Sequence, residues 1–207
     1  MEENNNPTVP LAVSEATSPA TGPKKRTTWS AAWEFIRFML LVAVIVVGVR
    51  VFVAQPFVVS GTSMVPTFQN SDYLIIDELT YRFQEPNRGD VIVFHPPTDV
   101  KTYYIKRVIG LPGDTVSIAN SVITITNAAY PEGKILSEDY ITTDSLNDNF
   151  SVTVPEGQYF VMGDNRPASY DSRRWGLLPK DNITGRALLR LFPFNKIGVF
   201  PGEHPIY

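Results

Sequence analysis

The stretch Thr102-Tyr-Tyr-Ile-Lys-Arg-Val-Ile-Gly110 decides how the body of this chain is read. Two cations, Lys106 and Arg107, stand side by side in an otherwise apolar and aromatic run. As a strand, the run puts Tyr104, Lys106 and Val108 on one face and Ile105, Arg107 and Ile109 on the other. Each face thus carries one cation among groups that prefer to be buried, and at least one of the two is expected to be partly inside. Burial favours the neutral amine and lowers a lysine's pKa by up to several units from about 10.4. The bland alternative is an edge strand with both cations in water.

Outward from that run the pattern repeats. Short stretches rich in Val, Ile, Tyr and Phe, separated by Gly, Pro, Asn and Asp, predict strands at Tyr73–Asp77, Asp90–Phe94, Thr115–Ala119, Val122–Thr126, Phe150–Val154, Gln158–Met162 and Thr184–Leu191. Asn120-Ser121 is placed for a hairpin turn, and Asn127–Asn149 is polar and turn-rich enough for a flap or small annex. No long stripe of 3.6-residue period appears after Pro56. The body is mainly β, an antiparallel sandwich or barrel-like domain over 55–207 with a β-rich insertion at about 115–158.

Before the body lies AWEFIRFMLLVAVIVVGVRVFVAQPFVV, which ends at Val59. Its uncharged core, Phe38–Val49, spans 12 residues, short of the roughly 20 that a straight crossing needs. Arg37 and Arg50 can snorkel to opposite interfaces and extend the span, with Trp29 and Trp33 as interfacial anchors. This favours a transmembrane helix over 29–54 against a signal peptide or a buried helix. Residues 1–28 are polar and read as a disordered tail. Lys24, Lys25, Arg26 and Arg37 cluster on the tail side of the span, which places the tail in the cytoplasm and the β body outside.

Composition narrows the chemistry. The net charge of −3 argues against nucleic acid as a partner. There are no cysteines and only two histidines, His95 and His204, far apart and each followed by proline. No metal site, no cofactor and no Ser-His-Asp triad is expected from this supply.

Two loops complete the set. In Ser60-Gly-Thr-Ser-Met-Val-Pro-Thr-Phe68, Gly61 and Pro66 constrain a segment crowded with hydroxyls. Alone it reads as a turn whose hydroxyls bond their own backbone. A neutral Lys106 amine near Ser63 could take its proton, the Ser-Lys variant of an activated nucleophile. In Gly163-Asp-Asn-Arg-Pro-Ala-Ser-Tyr-Asp-Ser-Arg173, Asp and Arg alternate as in a braced loop, and Ser169 is a candidate to orient the amine.

Together, Ser63-Met64-x-Pro66-Thr67, Tyr104-Ile-Lys-Arg-Val-x-Gly-Leu-Pro-Gly-Asp114 and Gly163-Asp-Asn-Arg-x-x-Ser-x-Asp-Ser-Arg173 resemble the blocks of bacterial type I signal peptidases, in that family's order and behind an apolar helix. The resemblance runs from about Trp33 to the end. It implies a membrane-anchored serine endopeptidase that removes signal peptides from exported preproteins through an acyl-enzyme, working at the lipid bilayer on membrane-tethered chains. It implies Ser63 as nucleophile and Lys106 as general base. Ser169 would hold the amine, Asp171 and Arg173 would pair to brace the loop, and Asp164 would support it. Met64, Tyr104 and Ile105 would line a shallow pocket for small side chains. One departure stands out: some relatives carry a serine two residues before the nucleophile to serve the oxyanion, and here that position is Gly61. The Ser63 N–H is then the main expected donor. Two other readings compete: a self-cleaving repressor-type Ser-Lys peptidase, which would need a DNA-binding domain at its N-terminus, and a non-catalytic anchored β domain that binds peptides.

Overall fold

Two-residue periodicity governs the chain from Ala54 onward. A computed structural model describes residues 28–52, 54–141 and 149–204. The chain divides into two compact units, the first ending at Ala43 and the second beginning at Val44. Helix α1, Thr28–Phe52, contains an 18-residue window, Ala31–Gly48, of mean hydropathy 2.1 with its side chains exposed. It is long and apolar enough to cross a membrane. Arg37 lies over the ring of Trp33, 5.3 Å from its centroid. Of the tail read over residues 1–28, Thr28 opens α1 and residues 1–27 lie outside the described residues, as does the side chain of Arg50.

The strands are β1 (Ala54–Val58), β2 (Tyr73–Asp77), β3 (Val91–Phe94), β4 (Tyr104–Gly110), β5 (Thr115–Ala119), β6 (Val122–Thr126), β7 (Lys134–Ile135), β8 (Phe150–Thr153), β9 (Gln158–Met162), β10 (Leu178–Pro179), β11 (Ile183–Phe192) and β12 (Gly198–Val199). Every recorded pairing is antiparallel. The larger sheet runs β1-β2-β11-β3-β4-β9-β10, with β12 paired to β11, and the smaller runs β7-β6-β5-β8. The sequence reading misses β1, because Pro56 interrupts a run that looks like the end of the helix, and it misses the two-residue strands β7, β10 and β12. At the edge of the sheet, where β1 lies, the missing N–H of a proline costs no ladder bond.

β3 is buried along its whole length, and its four residues feed two cores alternately. Val91 and Val93 pack with Met64, Phe68, Leu74 and Ile76, while Ile92 and Phe94 pack with Val108, Tyr159 and Val161. That two-sided burial is why Val-Ile-Val-Phe reads as continuous apolar sequence.

The smaller sheet falls within the expected insertion. β5 and β6 are joined by Asn120 and Ser121, both at positive φ (50° and 67°), the geometry of a two-residue hairpin turn. The sheet is not a separate body. Val116, Ile118, Ile123 and Ile125 share one core with Ile109 of β4 and with Phe160 and Met162 of β9. Nor is the described part of the 127–149 segment a loose flap, since Leu136 and Tyr140 are buried in that same core.

Candidate active site

The nucleophile loop follows β1. Gly61 adopts φ +96°, which an L side chain rarely takes, and its N–H donates to Asn70 Oδ1 at 3.0 Å. Beyond Ser63 the chain makes a tight turn, with Val65 N–H to Thr62 O at 3.2 Å and Phe68 N–H to Met64 O at 2.8 Å. Met64 and Phe68, 1% and 0% exposed, root the turn in the core beneath. Ser63 is left half-buried at the surface of this rigid loop. Burial also corrects one expectation: Met64 packs inward with Leu74 and Ile76 and does not line the groove. Its neighbour Ser63 points the other way.

β4 delivers the second group. Lys106 Nζ lies 2.7 Å from Ser63 Oγ and donates to Ile105 O at 3.0 Å. The side chain is 4% exposed. Burial lowers the pKa of the amine from 10.5 to about 8, and the carboxylates of Asp171 and Asp164 hold it from falling further. A substantial share of the amine is therefore uncharged at mildly alkaline pH, with a hydroxyl proton in reach.

Both cations of the strand are inside. Arg107, 0% exposed, makes a two-point pair with Asp164, Nε to Oδ1 at 2.8 Å and Nη2 to Oδ2 at 2.6 Å. Its Nη1 donates to the carbonyls of Gly89 and Gly202, and its guanidinium lies 4.0 Å from the ring centroid of Tyr140. Asp164 Oδ2 also accepts from Thr67 Oγ1 at 2.5 Å, which ties the nucleophile loop to the same carboxylate. A buried pair with its remaining valences satisfied in this way tolerates loss of neither partner.

The Gly163–Arg173 loop closes over these groups. Asp171, fully buried, pairs with Arg173 through both oxygens at 2.8 Å and accepts from Gly163 N–H at 3.1 Å. It also caps the short helix α2, Ser172–Trp175, by accepting from Arg173 N–H. Asn165 reaches back to the nucleophile: its N–H donates to Ser63 O and its Nδ2 to Thr62 O, both at 3.0 Å. Gly163 has no room for a side chain. A Cβ there would meet Ser169 Oγ at 2.2 Å and Ser63 O at 2.4 Å.

Ser169 is where expectation and geometry part. Its Oγ is buried and has no hydrogen-bond partner among the described residues, while the Lys106 amine is turned to Ser63 and Ile105 O. The hydroxyl packs against Gly163 instead. Sequence reasoning gave no role to Asn165, Arg166, Thr67 or Glu138. The first three lie inside the quoted motifs. Glu138 lies in the turn-rich segment, where nothing local marks it.

A groove of about 410 Å³ opens at Ser63 and Lys106, and Tyr104 and Ile105 line it as expected. Phe57 of β1 and Tyr103 line it too, with ring centroids 4.9 Å apart in an edge-on contact. Tyr170 and Ala168 line it from the Gly163–Arg173 loop. Among the described residues no three His, Asp or Glu side chains gather in a group fit to hold a metal.

A family profile described as "Signal peptidase, peptidase S26" matches residues 32–192. A probable signal peptidase I-1 from a Synechocystis species is 41% identical over 177 residues, covering 80% of this chain and 87% of that protein. A signal peptidase I from Leptolyngbya laminosa is 39% identical over 185 residues, covering 86% and 88%. One from Bacillus licheniformis is 34% identical over 188 residues, covering 86% and 97%.

Proposed function

The chain belongs to the signal peptidase family, peptidase S26, and from that premise we propose that Ser63 and Lys106 carry its reaction. It is a serine peptidase that removes signal peptides. The observation that carries the assignment of roles is the 2.7 Å contact between a buried, partly neutral amine and a hydroxyl at the wall of an open groove.

In the proposed sequence, Ser63 Oγ attacks the scissile carbonyl carbon while its proton passes to Lys106 Nζ. The tetrahedral oxyanion forms beside the Ser63 N–H, its main donor. Collapse expels the amine of the mature chain, which takes the proton from Lys106, and leaves the signal peptide as an ester on Ser63. Water then attacks the ester as Lys106 accepts its proton, and collapse breaks the bond to Ser63 Oγ, which takes that proton back from Lys106 as the peptide leaves as a carboxylic acid. Asp164 and Asp171 keep the amine basic enough to accept the proton, and their arginine partners hold the loop that carries them. A buried hydroxyl without a partner costs about 1–3 kcal/mol, so Ser169 has reason to take up the amine once it turns from Ile105 O during turnover.

The substrates are exported preproteins still tethered to the membrane. Helix α1 anchors the enzyme there as a single span, with the tail in the cytoplasm and the β body outside. The length and hydropathy of Ala31–Gly48 and the cations on its N-terminal side support this arrangement. Shared tethering raises the local concentration of substrate at the groove.

The deciding experiment is cleavage of a model preprotein by Ser63→Ala and Lys106→Met in membranes. Each is expected to lose at least about 1000-fold in rate while remaining folded. Cleavage at the wild-type rate by either variant removes the dyad. Orientation is read separately: protease added to sealed, right-side-out spheroplasts should reach the β body, and full protection would invert the assignment.

A further inference from the structure

We propose that Glu138 and Tyr140, in the segment between β7 and β8 of the smaller sheet, are positioning residues for the nucleophile loop. They latch both arginines that frame the Gly163–Asn165 turn. The inference rests on the Ser63–Lys106 reading and adds to it a part of the chain outside all three sequence blocks.

Arg166 is 1% exposed, and both of its terminal nitrogens meet the Glu138 carboxylate, Nη1 to Oε2 at 2.7 Å and Nη2 to Oε1. The same guanidinium donates from Nε to Gly163 O at 3.1 Å, and Arg166 O accepts from Arg173 Nη2 at 2.7 Å. Two residues from Glu138, the ring of Tyr140 covers the guanidinium of Arg107, and its hydroxyl donates to Glu138 at 2.8 Å. One short stretch therefore grips Arg166 by charge and Arg107 by its face.

Between these two arginines lies the turn that matters. The carbonyl of Gly163 is held by Arg166, the carboxylate of Asp164 by Arg107, and the N–H of Asn165 holds Ser63 O. The negative charge of Asp164 is also felt by Arg166. With Glu138 in place, each arginine has its own carboxylate. Without it, a buried guanidinium is left to compete for Asp164 and draws that carboxylate from Arg107 and Thr67. The turn beneath Ser63 then shifts. A misplacement of about 1 Å at a reacting pair can cost about 100-fold in rate, while the groove walls at Phe57, Tyr104 and Ile105 stay where they are.

The test uses the full chain in detergent micelles with a cleavable peptide and with an activated ester whose burst counts working sites. Glu138→Gln removes the charge and turns an amide N–H toward the guanidinium. Glu138→Asp keeps the charge but cannot span both nitrogens from the same backbone. Expected for Glu138→Gln is a fall in kcat per burst-counted site of about 10- to 100-fold with KM within about twofold, and for Glu138→Asp a smaller fall of the same kind. A merely structural role would lower the count of working sites and leave turnover per site unchanged. If Glu138→Gln does not fold, Glu138→Asp and Tyr140→Leu decide by the same split. Wild-type turnover per site in the folded variants, with Ser63→Ala inactive, overturns the latch alone. Activity in Ser63→Ala overturns the dyad beneath it.

Discussion

Replacing Lys106 by methionine should abolish turnover and, at neutral pH, make the fold more stable. The reason is linkage. In the unfolded chain the lysine titrates near 10.5, and in the fold near 8, because burial penalises the charged amine. Between those values the unfolded chain holds a proton at this position that the folded chain has released. Stability therefore rises with pH across roughly pH 8 to 10.5 and is lowest below about pH 8. At about 1.4 kcal/mol per pH unit, the gap amounts to about 3 kcal/mol. Exposure of 4% leaves little solvent screening to discount. Methionine has similar reach and no charge, so it feels none of this. Its lost contacts to Ser63 and Ile105 O cost about 1 kcal/mol each at every pH. The measurable signature is thus a difference of differences: the stability of Lys106→Met relative to wild type should fall by about 3 kcal/mol from pH 7 to pH 11. Urea unfolding of both proteins in the same micelles, followed by tryptophan fluorescence, provides it, and other titrating groups cancel. Parallel stability curves would refute the reasoning. They would mean that the amine titrates alike in both states and is no better a base than a surface lysine.

The same amine sets the pH dependence of catalysis. With a pKa of about 8, roughly 1% of the free enzyme is deprotonated at pH 6 and half at pH 8, so kcat/KM should climb about 50-fold between them and level off above about pH 9. A profile flat from pH 6 to 10 would contradict a lysine base. Gly163→Ala should cost at least about 100-fold in kcat, since the new methyl group meets Ser169 Oγ at 2.2 Å and the carbonyl of the nucleophile itself at 2.4 Å. An alanine variant with unchanged turnover would show that the loop yields freely at this point.

How much of this was legible in the chain depended on the distance over which each feature is encoded. β2, β5, β6 and β9 follow the predicted bounds because alternation or an apolar run, with turn residues on either side, is a local signal. β7, β10 and β12, two residues each, are too short to show a period, and β1 is hidden by Pro56 beside the apolar helix. At the site, the motif placed Ser63 and Lys106 before their 43-residue separation was closed in space. The Arg107–Asp164 pair joins residues 57 apart and the Arg166–Glu138 pair residues 28 apart. The blocks contain three of those four residues but do not say which carboxylate meets which arginine. Glu138 had no pattern at all, because a bidentate partner is chosen by tertiary proximity. The family resemblance puts Met64 in the groove, and the turn sends it the opposite way, into the apolar interior.

The core shared by the two sheets bears on how this enzyme could be trimmed. Ile109, Phe160 and Met162 are sealed by side chains of the hairpin sheet, so excising residues 115–153 would strip solvent cover from the strand that leads straight into Gly163. There is no seam along which to shorten the domain. Protein engineers wanting a foothold for a tag or fluorophore would do better at the hairpin tip, Asn120-Ser121, where an added loop leaves the joint between the sheets untouched.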